Sequence, residues 1–412
     1  MQRTGLKKMS KKNLIELNLS IAVFLLFLGI IGLIAPVQSL AGKKFPEEKI
    51  PGSIHSGLQH FLDLVDPEKD IAFDPGLVGG VMEFIEAPKE NHTLYFADDL
   101  LRLPSAYHEF DSHVDINRIA GYAFNPDIPD IATMPSSVRL FQWMDEKGQH
   151  RLAPRVDRYL GNLDAPVVEN TLQYVEITPD THSGAYYGYN LYQALVVFKY
   201  KQRKVIMTIS RQRDESTVGK KGYVLGTDDD WDYFYSGKKG LTVPALGWVS
   251  SYMYASSAIN IYYEVEPGSS RVRCAMFKWL RAGWSGINMV QRRHIYNGLK
   301  RFGGTFKQII EHPALPAVDL LAADFSHIRK MPDDILRSKM DIYSNILKRR
   351  YNGDNHNGSK KLSKMLADKN HWSGMSRDEM EAALVIEYMR GVIGKTDASE
   401  IEELFEFKTV QQ

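Results

Sequence analysis

Two stretches in the middle of the chain place apolar residues at every second position, which predicts β-strands. In the first, the aliphatic run 191–200 leads through a KQRK turn into 205–211, where Val205, Met207 and Ile209 alternate with their neighbours. In the second, the alternating segment 259–265 is followed by a PGSS turn and by a strand that contains Val272, Cys274 and Met276. The pattern predicts two antiparallel hairpins with one wet face, and hence an antiparallel sheet.

After Val290 the apolar period changes from two to 3.6, which predicts amphipathic helices. One stripe consists of Ile295, Leu299, Phe302, Phe306 and Ile310. A second helix is predicted after Pro332, with Asp333 and Asp334 in its first turn. Ser376 with Glu379, and Ser399 with Glu402, have the spacing of capping boxes and predict two more helices.

Strands and helices in separate blocks predict an α+β fold, with a central antiparallel β-sheet followed by a helical C-terminal region. The predicted organisation is a signal peptide or signal-anchor helix at 1–41, a linker at 42–58 and a mixed α+β region at 59–165. An antiparallel sheet with a closing helix follows at 166–311, and the helical C-terminal region occupies 312–412.

The segment Leu19–Val37 contains no charged residue and follows a basic N-terminal stretch. As a helix it would span about 28 Å, close to the thickness of a bilayer core, so a transmembrane helix is predicted here. The basic flank predicts that the remainder of the chain lies outside the cytoplasm. Ser39 and Ala41 also fit the pattern of a signal-peptidase site, so a permanent anchor and cleavage after Ala41 both stay open.

The net charge and the cysteine content indicate which partners and which cellular compartment to expect. The formal net charge of the 412 residues is only +1, which argues against a nucleic-acid partner. The single cysteine, Cys274, excludes an internal disulfide, and the strand alternation places it in the core. A large exported domain without an internal disulfide is unusual for the eukaryotic secretory route and acceptable in a bacterial envelope. We therefore expect an inner-membrane protein with an extracytoplasmic domain, or a periplasmic protein if the N-terminal segment is cleaved.

The segment YHEFDSHVD contains the densest group of potential metal ligands, His108, Asp111, His113 and Asp115. Histidine and carboxylate side chains together suit zinc, manganese or iron, so a divalent metal is one hypothesis here. The alternative is a solvated polar segment, because no established ligand spacing is present. No other cofactor is predicted.

Aromatic residues crowd two strand segments, and alternating rings on a sheet can bind sugars, lipids or protein partners. Aromatic residues also favour strands for packing alone, and this alternative stays open. The candidate ligand-binding residues are Tyr186, Tyr187, Tyr189, Trp231, Tyr233 and Tyr235.

The order of elements in Ile259–Ile310, two strands, a loop and a long amphipathic helix, resembles the end of helix-grip folds. That resemblance carries no motif residues and implies a curved sheet wrapped around the helix, with an apolar cavity for lipid. Three functions follow as hypotheses. The favoured one is a non-enzymatic envelope protein that binds a protein, lipid or glycan, and the alternatives are a lipid-binding protein and a metal-dependent hydrolase.

Overall fold

A computed structural model describes residues 47–89, 93–97, 100–145, 147–179, 184–243, 247–351, 372 and 374–405. All of them belong to one compact unit, Glu47–Gln412. The predicted segment Leu19–Val37 and the cleavage position at Ala41 lie outside the described residues. Within those residues, no helix combines the length and the apolar character that crossing a bilayer requires.

The described strands form one large sheet and two small ones. The strands are β1 (Glu47–Lys49), β2 (Thr93–Ala97), β3 (Ser105–Ser112), β4 (Val138–Met144), β5 (Val167–Ile177), β6 (Gly184–Tyr186), β7 (Gly188–Tyr200), β8 (Arg203–Gln212), β9 (Lys220–Leu225), β10 (Asp232–Lys239), β11 (Leu241–Val243), β12 (Gly247–Val249), β13 (Ser251–Glu264), β14 (Val272–Trp284) and β15 (Ile287–Asn288). The large sheet has the order β1-β2-β3-β14-β13-β8-β7-β5-β4, with β15 beside β14. Its pairings are antiparallel except for that of β1 with β2.

Four helices of the described residues lie before β5 and five lie after β15. They are α1 (Gly52–Asp63), α2 (Gly79–Glu86), α3 (Ile116–Ala123), α4 (Val156–Gly161), α5 (Arg292–Ile310), α6 (Val318–Arg329), α7 (Asp333–Tyr351), α8 (Arg377–Val392) and α9 (Ala398–Phe405). The prediction of an α+β fold with a large antiparallel sheet and C-terminal helices is confirmed. The predicted linker 42–58 ends inside α1, and the predicted regions 59–165 and 166–311 contribute strands to the same sheet.

Both predicted hairpins are present, as β7 with β8 and β13 with β14. The prediction of one wet face is wrong, because helices cover both faces. On one face α1 and α2 pack over Val196, Phe198 and Met207, and on the other Leu195 and Val197 join the core that includes the C-terminal helices. Consecutive apolar residues in β7 therefore reflect burial on both sides of the strand.

The predicted capping box at Ser376 is confirmed, since its hydroxyl accepts the backbone N–H of Glu379 and the Glu379 carboxylate accepts the backbone N–H of Ser376. The second box is displaced. Helix α9 begins at Ala398, and the side chain of Asp397 accepts the N–H of Ser399 at 2.9 Å. The carboxylate of Asp397, two residues before Ser399, thus accepts a free N–H at the start of α9, where Ser399 was predicted to be the capping residue.

Helix α5 packs directly on β3 and β14, and a glycine permits the close approach. A Cβ added to Gly303 would lie 2.8 Å from Cε1 of Phe110. Phe306, one turn further on, is buried against the rings of Phe110 and Tyr262. Side chains of the helix and the sheet therefore interlock at this point, so no apolar cavity separates them there.

Two adjacent glycines of α5 allow a matched test of this contact. We expect Gly303→Ala to lower the free energy of unfolding by about 1 kcal/mol, because the added methyl group overpacks Phe110. Gly304 faces open space, so Gly304→Ala should raise stability by up to about 1 kcal/mol through helix propensity. Urea unfolding of both variants measures the difference, and equal shifts would contradict the close contact.

Candidate functional site

A cavity of about 570 Å³ lies at the edge of the large sheet, beside strand β4. Its volume is in the range of sites that hold small organic ligands. Parts of five segments form the walls: the loop 126–131, strand β4, the loop 150–153, and the facing sides of α6 and α8. The apolar and aromatic part of the lining includes Ile128, Leu140, Phe141, Trp143, Phe325 and Val385.

Local sequence explains how the loop 126–131 is held in the wall. Pro126 and Pro129 restrict its backbone, and a short 3₁₀ turn, Asp130–Ala132, closes it. Ile128 and Ile131 anchor the loop because both are buried in the core. Across the cavity, the capping box at Ser376 fixes the first turn of α8, where Arg377 and Asp378 line the wall.

Asp130 is the carboxyl group most deeply placed in this wall. Its Oδ2 accepts a hydrogen bond of 2.9 Å from Nε1 of Trp143. Burial raises the pKa of Asp130 to about 7, and donation from Trp143 opposes this rise. A carboxyl group with such a pKa can donate or accept a proton near neutral pH, which is unusual for aspartate.

Other charged groups lie around the same cavity. Burial raises the pKa of Glu381, although Arg377, whose Nε is 2.7 Å from its carboxylate, opposes the shift. Asp378 accepts a hydrogen bond of 2.5 Å from Nε2 of Gln142. Arg329 is exposed and offers positive charge to an entering molecule, whereas Arg151 already pairs with Glu169, its Nη2 3.3 Å from the carboxylate. The cavity therefore combines an apolar lining with groups of both signs.

The predicted metal ligands do not converge in the structure. His108 and Asp111 lie on opposite faces of β3: the ring of His108 contacts Tyr296 of α5, whereas Asp111 binds Arg273, with its Oδ1 2.6 Å from Nε. The backbone N–H of His113 donates to Glu311 at 2.6 Å, and Asp115 caps α3. Over the described ranges, no group of three or more histidine, cysteine, aspartate or glutamate residues has metal-binding geometry. A metal at these residues stays a prediction without structural support.

The predicted aromatic residues are packed inside the protein. Tyr186, Tyr189, Trp231 and Tyr233 are buried, and Tyr187 and Tyr235 are partly buried. Arg139 lies over the ring of Tyr235, with its Cζ 4.0 Å from the centroid, and also contacts the ring of Tyr186. Arg139 is itself 4% exposed and pairs with Glu176 and Glu379. Tyr186 and Tyr235 thus flank a buried cation, and the six side chains do not form an open platform.

No protein-family model matches this chain, and no curated protein shows detectable sequence similarity to it. The site is therefore interpreted from its own chemistry. Cys274 is buried as predicted, and burial raises the pKa of its thiol well above its usual value, which suits core packing.

Sequence reasoning missed the cavity because its walls come from distant parts of the chain. Asp130 was only one acidic residue in a segment punctuated by prolines. One signal was present: Trp143 lies in a largely apolar segment, and a buried indole N–H normally has an acceptor. That acceptor is Asp130, 13 positions earlier.

Proposed function

We propose that this protein is an extracytoplasmic binding protein whose edge cavity holds an amphipathic small molecule. The observation that carries the proposal is the cavity of about 570 Å³, lined by aromatic and aliphatic side chains around the half-buried carboxyl of Asp130. Leu152 lines the same cavity and is 68% exposed, so a bound molecule would cover apolar surface that now faces water. The location outside the cytoplasm rests on the predicted segment Leu19–Val37.

The lining indicates the chemistry of the ligand. Phe141 and Trp143 offer ring surface to a flat apolar group. Arg329, which is exposed, would attract an anionic substituent. Below pH 7 the protonated carboxyl of Asp130 can donate a hydrogen bond to an acceptor on the ligand. A molecule with an apolar ring system and one acidic group meets all three conditions.

The probe 8-anilino-1-naphthalenesulfonate has this chemistry and reports its own binding by fluorescence. We expect saturable binding at one site of the folded protein. Ala382 lines the cavity and is 5% exposed, so Ala382→Leu fills part of the space. We expect that variant to weaken binding of the probe by at least about tenfold, which corresponds to about 1.4 kcal/mol.

The control is Ala323→Leu, an exposed position on α6 that does not line the cavity. It should bind the probe like the unaltered protein. Circular dichroism and the cooperativity of unfolding confirm that both variants are folded, since this dye also binds partly unfolded chains. Probe affinity that is unchanged by Ala382→Leu would rule out the cavity as the binding site.

One observation favours a second candidate, acid–base catalysis in the same cavity. Asp130 and Glu381 both line it, and burial raises the pKa of each. Raised carboxyl pKa values are typical of catalytic acids. The test is hydrolysis of chromogenic esters and glycosides by the unaltered protein and by Asp130→Asn. If the protein is a catalyst, Asp130→Asn should lose this turnover and still bind the dye. If it is a binding protein, no turnover should depend on Asp130.

A further inference from the structure

The chain between α1 and α2 crosses the surface as an irregular segment, residues 66–77, which we call the strap. Residues 67–72 and 74–77 are exposed, whereas Phe73 is partly buried and packs against the apolar core. The ring centroid of Phe73 lies 5.1 Å from that of Phe198 in β7, a side chain that is only 2% exposed. Phe73 therefore anchors the middle of the strap to the core, at a place that shares no residue with the edge cavity.

A histidine of α1 holds the same part of the strap. His60 is 9% exposed, and its Nε2 accepts the backbone N–H of Asp74 at 2.9 Å. Its ring centroid lies 6.0 Å from that of Phe73. A ring nitrogen that accepts a hydrogen bond carries no proton, so this contact requires the neutral imidazole with its proton on Nδ1. The closed strap thus selects the neutral form of His60.

Two carboxylates act on His60 through their charge. Asp63 lies three residues further along α1, and its Oδ1 is 2.7 Å from Nζ of Lys69 in the strap. The carboxylate of Asp74 accepts the backbone N–H of Gly76 at 2.8 Å. Burial lowers the pKa of His60, and the charges of Asp74 and Asp63 oppose this shift. The ring is therefore neutral at pH 7, in agreement with the hydrogen bond that it accepts.

We infer that the strap is a pH-sensitive device, closed while His60 is neutral and opened when the ring binds a second proton. Protonation places an N–H on Nε2 directly opposite the N–H of Asp74, so two donors would face each other. It also places a positive charge beneath the ring of Phe73, away from water. Opening the strap relieves both effects because the charged ring then reaches solvent. Histidine protonation near pH 5 to 6 is a recurrent trigger of such conformational changes.

The two ends of the strap are held by contacts that do not involve His60. At its start, Asp66 pairs with Arg211 of β8 at 2.7 Å. At its end, the chain packs closely on α1, since a Cβ added to Gly57 would lie 2.6 Å from the carbonyl oxygen of Leu77. The middle of the strap can therefore open while α1 and α2 remain on the sheet.

Hydrogen exchange of the whole chain, followed by mass spectrometry at pH 7.5 and pH 5.5, tests this inference. After correction for the intrinsic effect of pH, the exchange rates report how often each segment opens. A histidine in water has a pKa of about 6.5, so its protonation at pH 5.5 can favour the open strap by up to about tenfold. We expect the corrected exchange of residues 70–77 to rise severalfold toward this limit, while α1 and β7 keep their protection.

His60→Gln is the decisive variant, because a glutamine side chain offers an acceptor and does not titrate. Its strap should exchange at the same corrected rate at both pH values, whether or not the amide holds the strap closed. His55→Gln is the matched control, since His55 lies in the same helix and is partly buried. This variant should retain the pH dependence of the unaltered protein.

Three results would overturn the proposal. They are equal corrected exchange of the strap at the two pH values in the unaltered protein, a pH dependence that survives in His60→Gln, and exchange at pH 5.5 that rises throughout the molecule. The last result would indicate general acid unfolding and not the opening of one segment. Circular dichroism at both pH values establishes that each variant is folded.

Discussion

Replacing Arg350 by methionine should lower the free energy of unfolding by about 3–5 kcal/mol, the usual cost of removing one member of a buried ion network. The guanidinium of Arg350 is within 3.4 Å of Asp232, 2.5 Å of Glu387 and 2.7 Å of Glu400. Asp232 and Glu387 are 0% and 1% exposed at their side chains. Without Arg350, two buried carboxylates lose a cation that offsets their desolvation.

The remaining members of the network cannot replace Arg350. Arg390 lies 3.1 Å from Asp232 and 3.4 Å from Glu387, so one cation would then serve both acids. Burial raises the pKa of Asp232 even with both arginines present, although the two guanidinium groups oppose the rise. These contacts join β10 to α7, α8 and α9, so their loss should loosen the C-terminal helices as a group.

The neighbouring Arg349 provides the control for this prediction. It pairs with Glu403 at 2.6 Å, but the two side chains are 50% and 44% exposed. Solvent screens such a pair, so Arg349→Met should lower the free energy of unfolding by less than about 1 kcal/mol. Urea denaturation followed by circular dichroism compares the two variants, and similar losses at both positions would mean that burial does not determine the strength of the network.

The alternation of residues predicted the hairpins well because each turn is polar and each strand has a clear period of two. It did not predict that both faces are covered, although the uninterrupted apolar run in β7 indicates this when strands are buried on both sides. The residues that cover one face belong to α1 and α2, which were read as linker and irregular structure. Helices shorter than about fifteen residues give weak local signals.

The candidate sites were harder to predict, for different reasons. The alternation of β3 already places His108 and Asp111 on opposite faces, so a strand assignment alone disfavours the set His108, Asp111, His113 and Asp115. The edge cavity depends on contacts such as that of Gln142 with Asp378, 236 positions apart.

Asp130→Asn should make the protein more stable at pH 8 than the unaltered chain, by about 2 kcal/mol. Burial holds the pKa of Asp130 at about 7 in the folded state, whereas an unfolded aspartate has a pKa of about 3.9. Between these values the folded protein binds the extra proton, so the free energy of unfolding falls as pH rises from about 4 to 7. The difference between the two pKa values corresponds to about 4 kcal/mol in the free energy of unfolding. The expected effect is smaller because the Asp130 side chain is partly exposed and solvent screens its charge.

Asparagine keeps an acceptor for Nε1 of Trp143 and removes the charge, so the two proteins should have similar stability at pH 4 and diverge toward pH 8. Asp127→Asn, an exposed position in the same loop, should show no such divergence. Thermal or urea unfolding across this pH range measures the effect. A constant difference between Asp130→Asn and the unaltered protein would mean that the charge is well solvated. A divergence would identify Asp130 as a group retained in the cavity at a cost to stability, as functional groups often are.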